Sequence, residues 1–167
     1  MKPKTTRPAK TGKSAAVTQP LPVVVKSILV PIDFSPPSRK ALDYAVTFAR
    51  QFKAKLTLVH VVEPVATPDF AASFPLALEN DQSMAAAKRE LESLVKAAKV
   101  PRSMVEKLLV RLGRSFHEIA SAARTRKVDL IIISTHGYTG LKHALLGSTT
   151  ERVVRYAPCP VLVVRQR

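Results

Sequence analysis

The sequence predicts an α/β protein: a five-stranded parallel sheet with helices on both faces. Five short apolar runs alternate with segments of helical spacing, the order that builds a parallel sheet through right-handed crossovers. The runs are nearly continuous in Val, Ile and Leu rather than alternating with polar residues, as strands buried on both faces are. A chain of 167 residues, 46% hydrophobic with mean hydropathy +0.05, is long enough to bury one ordinary core without covalent staples.

The first strand is expected at residues 26–33, Lys-Ser-Ile-Leu-Val-Pro-Ile-Asp, and ends on an acidic residue. Ser35 then suits an N-cap with Pro36 at the first helical position. Ala41, Leu42, Ala45, Phe48, Ala49 and Phe52 form that helix's apolar stripe. The second strand is expected at residues 55–62. A connection from Glu63 to about Asn80 contains prolines and is long for such a fold. Asn80 or Asp81 is expected to cap a second helix running to about Lys99. A third strand is expected at residues 103–111, and Ser115 with Glu118 reads as a capping box for a third helix to about Arg126. Residues 129–134 give the fourth strand, the stretch after Gly147 the fourth helix, and residues 159–165 the fifth strand.

Residues 1–24 are rich in Lys, Thr, Pro, Ala and Ser without apolar periodicity, and are expected to form a disordered basic tail ahead of a domain at 25–167. Lys2, Lys4, Arg7, Lys10 and Lys13 supply five of the net +15 charges, so the domain itself keeps about +10. That balance favours anionic partners without choosing among nucleotides, nucleic acid, acidic proteins and lipid surfaces. Cys159 is the single cysteine, so no internal disulfide framework exists, and its place beside an apolar run suits a small buried hydrophobe. No apolar stretch approaches the roughly 20 residues of a membrane span. A cytoplasmic protein with no membrane partner is the expectation.

Residues 134–148, Ser-Thr-His-Gly-Tyr-Thr-Gly-Leu-Lys-His-Ala-Leu-Leu-Gly-Ser, lie between the fourth strand and fourth helix. Glycines let the backbone approach a ligand, and a helix N-terminus offers N–H donors and a positive dipole end to an anion. The segment is neither G-x-G-x-x-G nor a Walker A loop. In an open α/β sheet, ligands bind beyond the carboxyl ends of the strands where strand order reverses. If the first and fourth strands are neighbours, Asp33 faces this loop across a crevice. Its carboxylate there suits a ribose hydroxyl or base amine, with phosphates on the backbone of Gly137, Gly140, Gly147 and Ser148. Plainer readings stand beside this one. Asp33 also suits the positive end of the helix that follows. Ser148 with Glu151 reads as a capping box, which accounts for the Gly-Ser start without a ligand. His136 and His143 lack partners in metal-ligand spacing, and no metal site is expected. His60, inside an apolar strand, reads as a packed histidine.

The chain resembles the universal stress proteins. The matching pieces are Ile28-Leu-Val-Pro-Ile-Asp-Phe-Ser35, Leu58-Val-His-Val61, Gly147-Ser-Thr-Thr-Glu-Arg-Val153 and Ala157-Pro-Cys-Pro-Val-Leu-Val-Val164. The resemblance covers about residues 25–167 and implies the same Rossmann-like fold, of the adenine nucleotide alpha hydrolase-like kind. It also implies a binding motif of Gly, two residues, Gly, nine residues, then Gly-Ser or Gly-Thr. Gly137 takes the second glycine position and Gly147-Ser148 the last, but Ser134 stands where the first glycine belongs. By resemblance, Asp33 and backbone near Val61 contact the adenosine, and Thr149 joins Ser148 at the phosphates. Pro31, Ile32, Ile133 and Ser134 complete the expected nucleotide-binding set, the Ser134 hydroxyl suiting either the ribose or a phosphate. The implied ligand is ATP with magnesium as counter-ion. The resemblance further implies homodimers, here through Val161, Leu162, Val163 and Val164. An apolar edge strand needs a partner in any case.

These features lead first to an adenine-nucleotide-binding sensor or regulator of the stress response, with an unknown protein partner. No residue is an evident base for activating water, so at most slow ATP hydrolysis is expected and no catalytic residue is named. The alternative is a nucleotide-free dimeric module of the same fold, its pocket altered by Ser134. Nucleic-acid binding through the basic surface would be non-specific and salt-sensitive, since aromatics make up only 5% of the chain and none interleave with basic residues.

Overall fold

The computed structural model describes residues 23–64, 75–135 and 147–165, with backbone alone at 75–80. The predicted basic tail falls almost wholly outside the described residues, as does the segment 136–146 with Gly137 and Gly140. Among the described residues nine elements follow in strict alternation: β1 (Ser27–Pro31), α1 (Pro36–Phe52), β2 (Lys55–Val62), α2 (Pro75–Ala97), β3 (Val105–Leu112), α3 (Ser115–Arg126), β4 (Leu130–Ser134), α4 (Ser148–Tyr156) and β5 (Val161–Val164). All four strand pairings are parallel, in the order β3-β2-β1-β4-β5. The chain winds outward from β1 through β2 to β3, then returns to the other side of β1 for β4 and β5. Strand order therefore reverses between β1 and β4.

Successive residues of each strand serve opposite faces. Ile28 and Val30 of β1, Leu56 and Leu58 of β2, and Ile132 of β4 pack with Ala41, Leu42, Ala45 and Ala49 of α1 and with Leu91, Leu94 and Val95 of α2. Leu29, Val59, Ile131 and Ile133 face the other way, into a cluster with Ile119, Ala122 and Ala123 of α3 and Val153 of α4. Helices thus cover both faces, as the continuous apolar strands require.

Ser35 caps α1 as expected, accepting from Ser38 N–H, with Pro36 in the first turn. The second helix differs from the sequence expectation: it begins at Pro75, ahead of Asn80 and Asp81, which lie within it. Proline needs no N–H partner at a helix start, so Pro75 is a better opening than an Asn or Asp a turn and a half later. α1 and α3 end on Lys53 and Lys127 in the left-handed region, φ 55° and 50°, where glycine is commoner. Their positive charges suit the negative end of each helix.

Thr57 sits in the middle of β2, 1% exposed, and its Oγ1 is the one buried side-chain polar atom among the described residues with no hydrogen-bond partner. Burying a hydroxyl without a partner costs more than burying a methyl of similar size. Thr57→Val is therefore expected to raise stability by about 1 kcal/mol, read as a higher melting temperature. A fall would show that the hydroxyl is bonded in solution.

Candidate functional site

The reversal of strand order leaves a gap beyond the carboxyl ends of β1 and β4, and three helix starts converge on it. β1 leaves the sheet through Ile32 and Asp33, whose backbone stays anchored by Ile32 N–H donating to Val59 O at 2.8 Å. Asp33 Oδ1 then accepts from the backbone N–H of Ser35 at 3.0 Å and from its hydroxyl at 2.5 Å. This turn places Phe34 at φ 64°, a left-handed conformation unusual for an aromatic residue. The Phe34 ring lies 4.6 Å from His60, and its carbonyl accepts from Arg39 Nε at 3.2 Å. Outliers of this kind cluster where a binding residue must be aimed. Here the strained residue directly follows Asp33.

On the other side, the end of β4 and the start of α4 are bonded to each other. Gly147 N–H donates to Thr135 O at 2.7 Å, and Thr150 Oγ1 donates to Ser134 O at 2.8 Å. Thr135 N–H in turn donates to Val164 O at 3.0 Å. These bonds fix the start of α4 against the end of β4.

The capping box expected at Ser148 and Glu151 is not formed. Gly147 is the N-cap, no side chain among the described residues caps the first turn, Ser148 is the first helical residue, and Glu151 pairs with Arg155 at 3.1 Å. A glycine in extended conformation cannot cap with a side chain, so the donors of this turn are not met by the protein's own Ser-x-x-Glu pattern.

The second expected capping box is also absent. Arg114 is the N-cap of α3 without a side-chain bond, and Ser115 is the first helical residue. Its N–H instead donates to Glu63 Oε1 at 2.8 Å, a carboxylate brought in just beyond β2. Glu118 packs against Gly113, whose φ of 144° admits no side chain without strain; an added Cβ would lie 3.1 Å from Glu118 Cγ. Hydrogen bonds from Ser115, assisted by the nearby Arg114 charge, hold the Glu63 carboxyl below its usual range against a smaller opposing effect of burial. A group that ionises more readily when folded adds stability that is complete above the ordinary carboxylate range. That stability is lost as pH falls through the lowered native value. Glu63→Ala is expected to cost about 1 kcal/mol at neutral pH and to make the melting temperature less sensitive to acid. An unchanged acid profile would contradict this role.

A cleft of about 200 Å³ occupies the gap, and it is lined from every element just described. Of the residues the sequence singled out, Pro31, Ile32, Asp33, Val61, Ile133, Ser134, Gly147, Ser148 and Thr149 all line it. Gly137 and Gly140 lie outside the described residues. Sequence reasoning missed Ser38, Val59, Ser115, Ile119 and Thr150 as further walls. His60 is packed, as expected, but it lines the cleft too, with Nδ1 2.8 Å from Ile32 O. A carbonyl only accepts, so the proton sits on Nδ1. Cys159 is half-buried rather than fully buried; burial, with Asp129 nearby, pushes its thiol pKa up.

The universal stress protein family profile matches residues 25–165. The chain belongs to the universal stress protein family. Universal stress protein MJ0531 of Methanocaldococcus jannaschii is 33% identical over 146 residues, covering 84% of this chain and 82% of its own. Universal stress protein YxiE of Bacillus subtilis is 33% identical over 144 residues, covering 83% and 97%. Among solved structures, the universal stress protein UspA from Lactobacillus plantarum aligns with a TM-score of 0.75 at 30% identity, covering 85% of this chain and 99% of that one. The universal stress protein fold is thus common to sequence and structure. Among the described residues, no helix is long and apolar enough to cross a membrane.

Proposed function

We propose that this universal stress protein binds an adenine nucleotide, ATP with magnesium as counter-ion, in the cleft between β1 and β4, and acts as a sensor or regulator in the stress response. The observation that carries this reading is the convergence, at the point of strand reversal, of a carboxylate, an apolar floor and a helix start that opens on glycine with no side-chain cap among the described residues. Asp33 supplies acceptors for ribose hydroxyls. Ile32, Val61 and Ile133 offer apolar surface to the base. Ser148 and Thr149 offer hydroxyls and first-turn N–H groups to phosphates. Gly137 and Gly140, to which the sequence assigns the same ligand groups, lie outside the described residues. Ser134, where the family's motif has glycine, is buried beside the start of α4. Another universal stress protein, 24% identical with a TM-score of 0.61, was solved in complex with cAMP; at that distance the likeness is one of fold.

The proposal extends to a homodimer through Val161, Leu162, Val163 and Val164. β5 is an outer strand, and three of these four residues are only half-buried. An apolar edge of this kind favours a second copy. The cell compartment proposed is the cytoplasm.

Calorimetric titration of nucleotide-stripped protein with ATP and magnesium tests the nucleotide reading, and light scattering tests the dimer. Saturable binding supports the reading. Absence of binding, with a dimer still present, supports the nucleotide-free interaction module instead.

A further inference from the structure

The nucleotide reading leaves open how much phosphate the cleft takes, and its surroundings bear on that. The space bounded by the described residues, about 200 Å³, is smaller than the roughly 300–1,000 Å³ of typical small-molecule sites. A nucleotide seated there must extend beyond it. Ser148 and Thr149 line both this cleft and a second, adjoining groove of about 290 Å³. The other walls of the groove are Glu63, Arg114, Phe116 and Arg152.

Two guanidinium groups therefore flank the exit from the end of the cleft that suits phosphates. Neither makes an ion pair among the described residues. Of the neighbouring carboxylates, Glu151 pairs with Arg155 at 3.1 Å and Glu118 with His117 at 3.1 Å, while Glu63 accepts from the N–H of Ser115 at 2.8 Å and feels the Arg114 charge without forming an ion pair with it. Arg152 is further ordered by stacking, its guanidinium carbon 5.0 Å from the centre of the Phe116 ring. A stacked guanidinium keeps its donor edges open while losing less freedom on binding an anion.

Resting on the proposed nucleotide site, we infer that Arg114 and Arg152 read the length of the phosphate chain, making this a site for nucleoside di- and triphosphates in preference to monophosphates. The monophosphate ends at Ser148 and Thr149. Further phosphates run into the groove, where each arginine donates forked hydrogen bonds to phosphate oxygens. Glu63 opposes this with one negative charge, but two positive charges outweigh it.

The test is calorimetric titration of the full chain with AMP, ADP and ATP at fixed magnesium and ionic strength. Affinity is expected to rise by at least about tenfold from AMP to ATP, as one new charged hydrogen-bonding contact supplies. In the Arg114→Gln/Arg152→Gln double variant that ratio is expected to fall to within about threefold, while AMP binding stays within about twofold of wild type. Both side chains are exposed, and circular dichroism checks that the variant is folded. Arg152→Lys should keep part of the ratio, because the charge remains without the fork. Equal binding of AMP and ATP by the wild type overturns the inference while leaving the nucleotide site intact, as does a ratio that survives in the double variant. Failure of all three nucleotides to bind overturns both.

Discussion

Asp33→Ala is expected to weaken ATP binding by about a hundredfold, and Asp33→Asn by about tenfold. The difference between the two separates the roles that Asp33 holds in the structure. Its Oδ1 organises the turn into α1 by accepting from Ser35 N–H and Oγ. Asparagine keeps that acceptor and adapts to the same local turn, so Asp33→Asn should melt within a few degrees of wild type. What it loses is the charge, which strengthens each bond donated by a ribose hydroxyl roughly twofold over a neutral acceptor. Alanine loses turn and charge together, so both affinity and melting temperature should fall. Titration with ATP and thermal melts of the two variants measure this directly. If Asn binds as tightly as Asp, the carboxylate serves only the turn and the positive end of α1, and the ribose anchor must be sought elsewhere in the cleft.

How far this site could be read from sequence follows from how local each signal is. The strand at Lys55–Val62 stands at its predicted bounds because burial leaves an apolar run, broken only by Thr57 and His60, between the charged residues Lys55 and Glu63. The Ser35-Pro36 start of α1 was legible for a similar reason, since cap and partner lie three residues apart. The capping boxes at Ser115 and Ser148 were misread although their patterns are equally good. At Ser115 the acceptor is Glu63, 52 positions away, and nothing in the local pattern can compete with a carboxylate delivered by the end of another strand. At Ser148 the bond from Gly147 N–H to Thr135 O fixes where the helix begins, one residue before the serine that could have capped it.

The cleft shows the same division. Asp33, Gly147 and Ser148 were visible because they closely follow a strand or open a helix. Ser38, His60 and Thr150 were not, because only the adjacency of β1 to β4 and β2 turns them into walls of one space. His60 had a usable signal, a polar ring within an apolar strand, which packing alone explains equally well until its partner Ile32 O is located at the rim.

Leu29→Ala is expected to cost about 2–5 kcal/mol, a large share of the roughly 5–15 kcal/mol that holds a domain folded. Leu29 lies on the central strand, fully buried, paired with Thr57 of β2 on one side and Ile131 of β4 on the other. Backbone hydrogen bonding to both neighbours prevents the strand from sinking to fill a void, so the cavity term should be near its maximum. Leu112 on the outer strand β3, 40% exposed, provides the contrast; its truncation should cost less than about 1 kcal/mol. Urea unfolding measures both as a shift in midpoint at unchanged slope, and a cost below about 1 kcal/mol for Leu29→Ala would mean that this face repacks freely. The void would open in the cluster shared with Ile119 and Ile133, two residues that also wall the cleft. Stability and binding are therefore separable by linkage. If the cleft survives the cavity, saturating ATP raises the stability of the variant by the same increment as that of the wild type, because the increment depends only on ligand concentration and dissociation constant. A smaller increment would show that the α3–α4 face of the sheet sets the shape of the site as well as the stability of the fold.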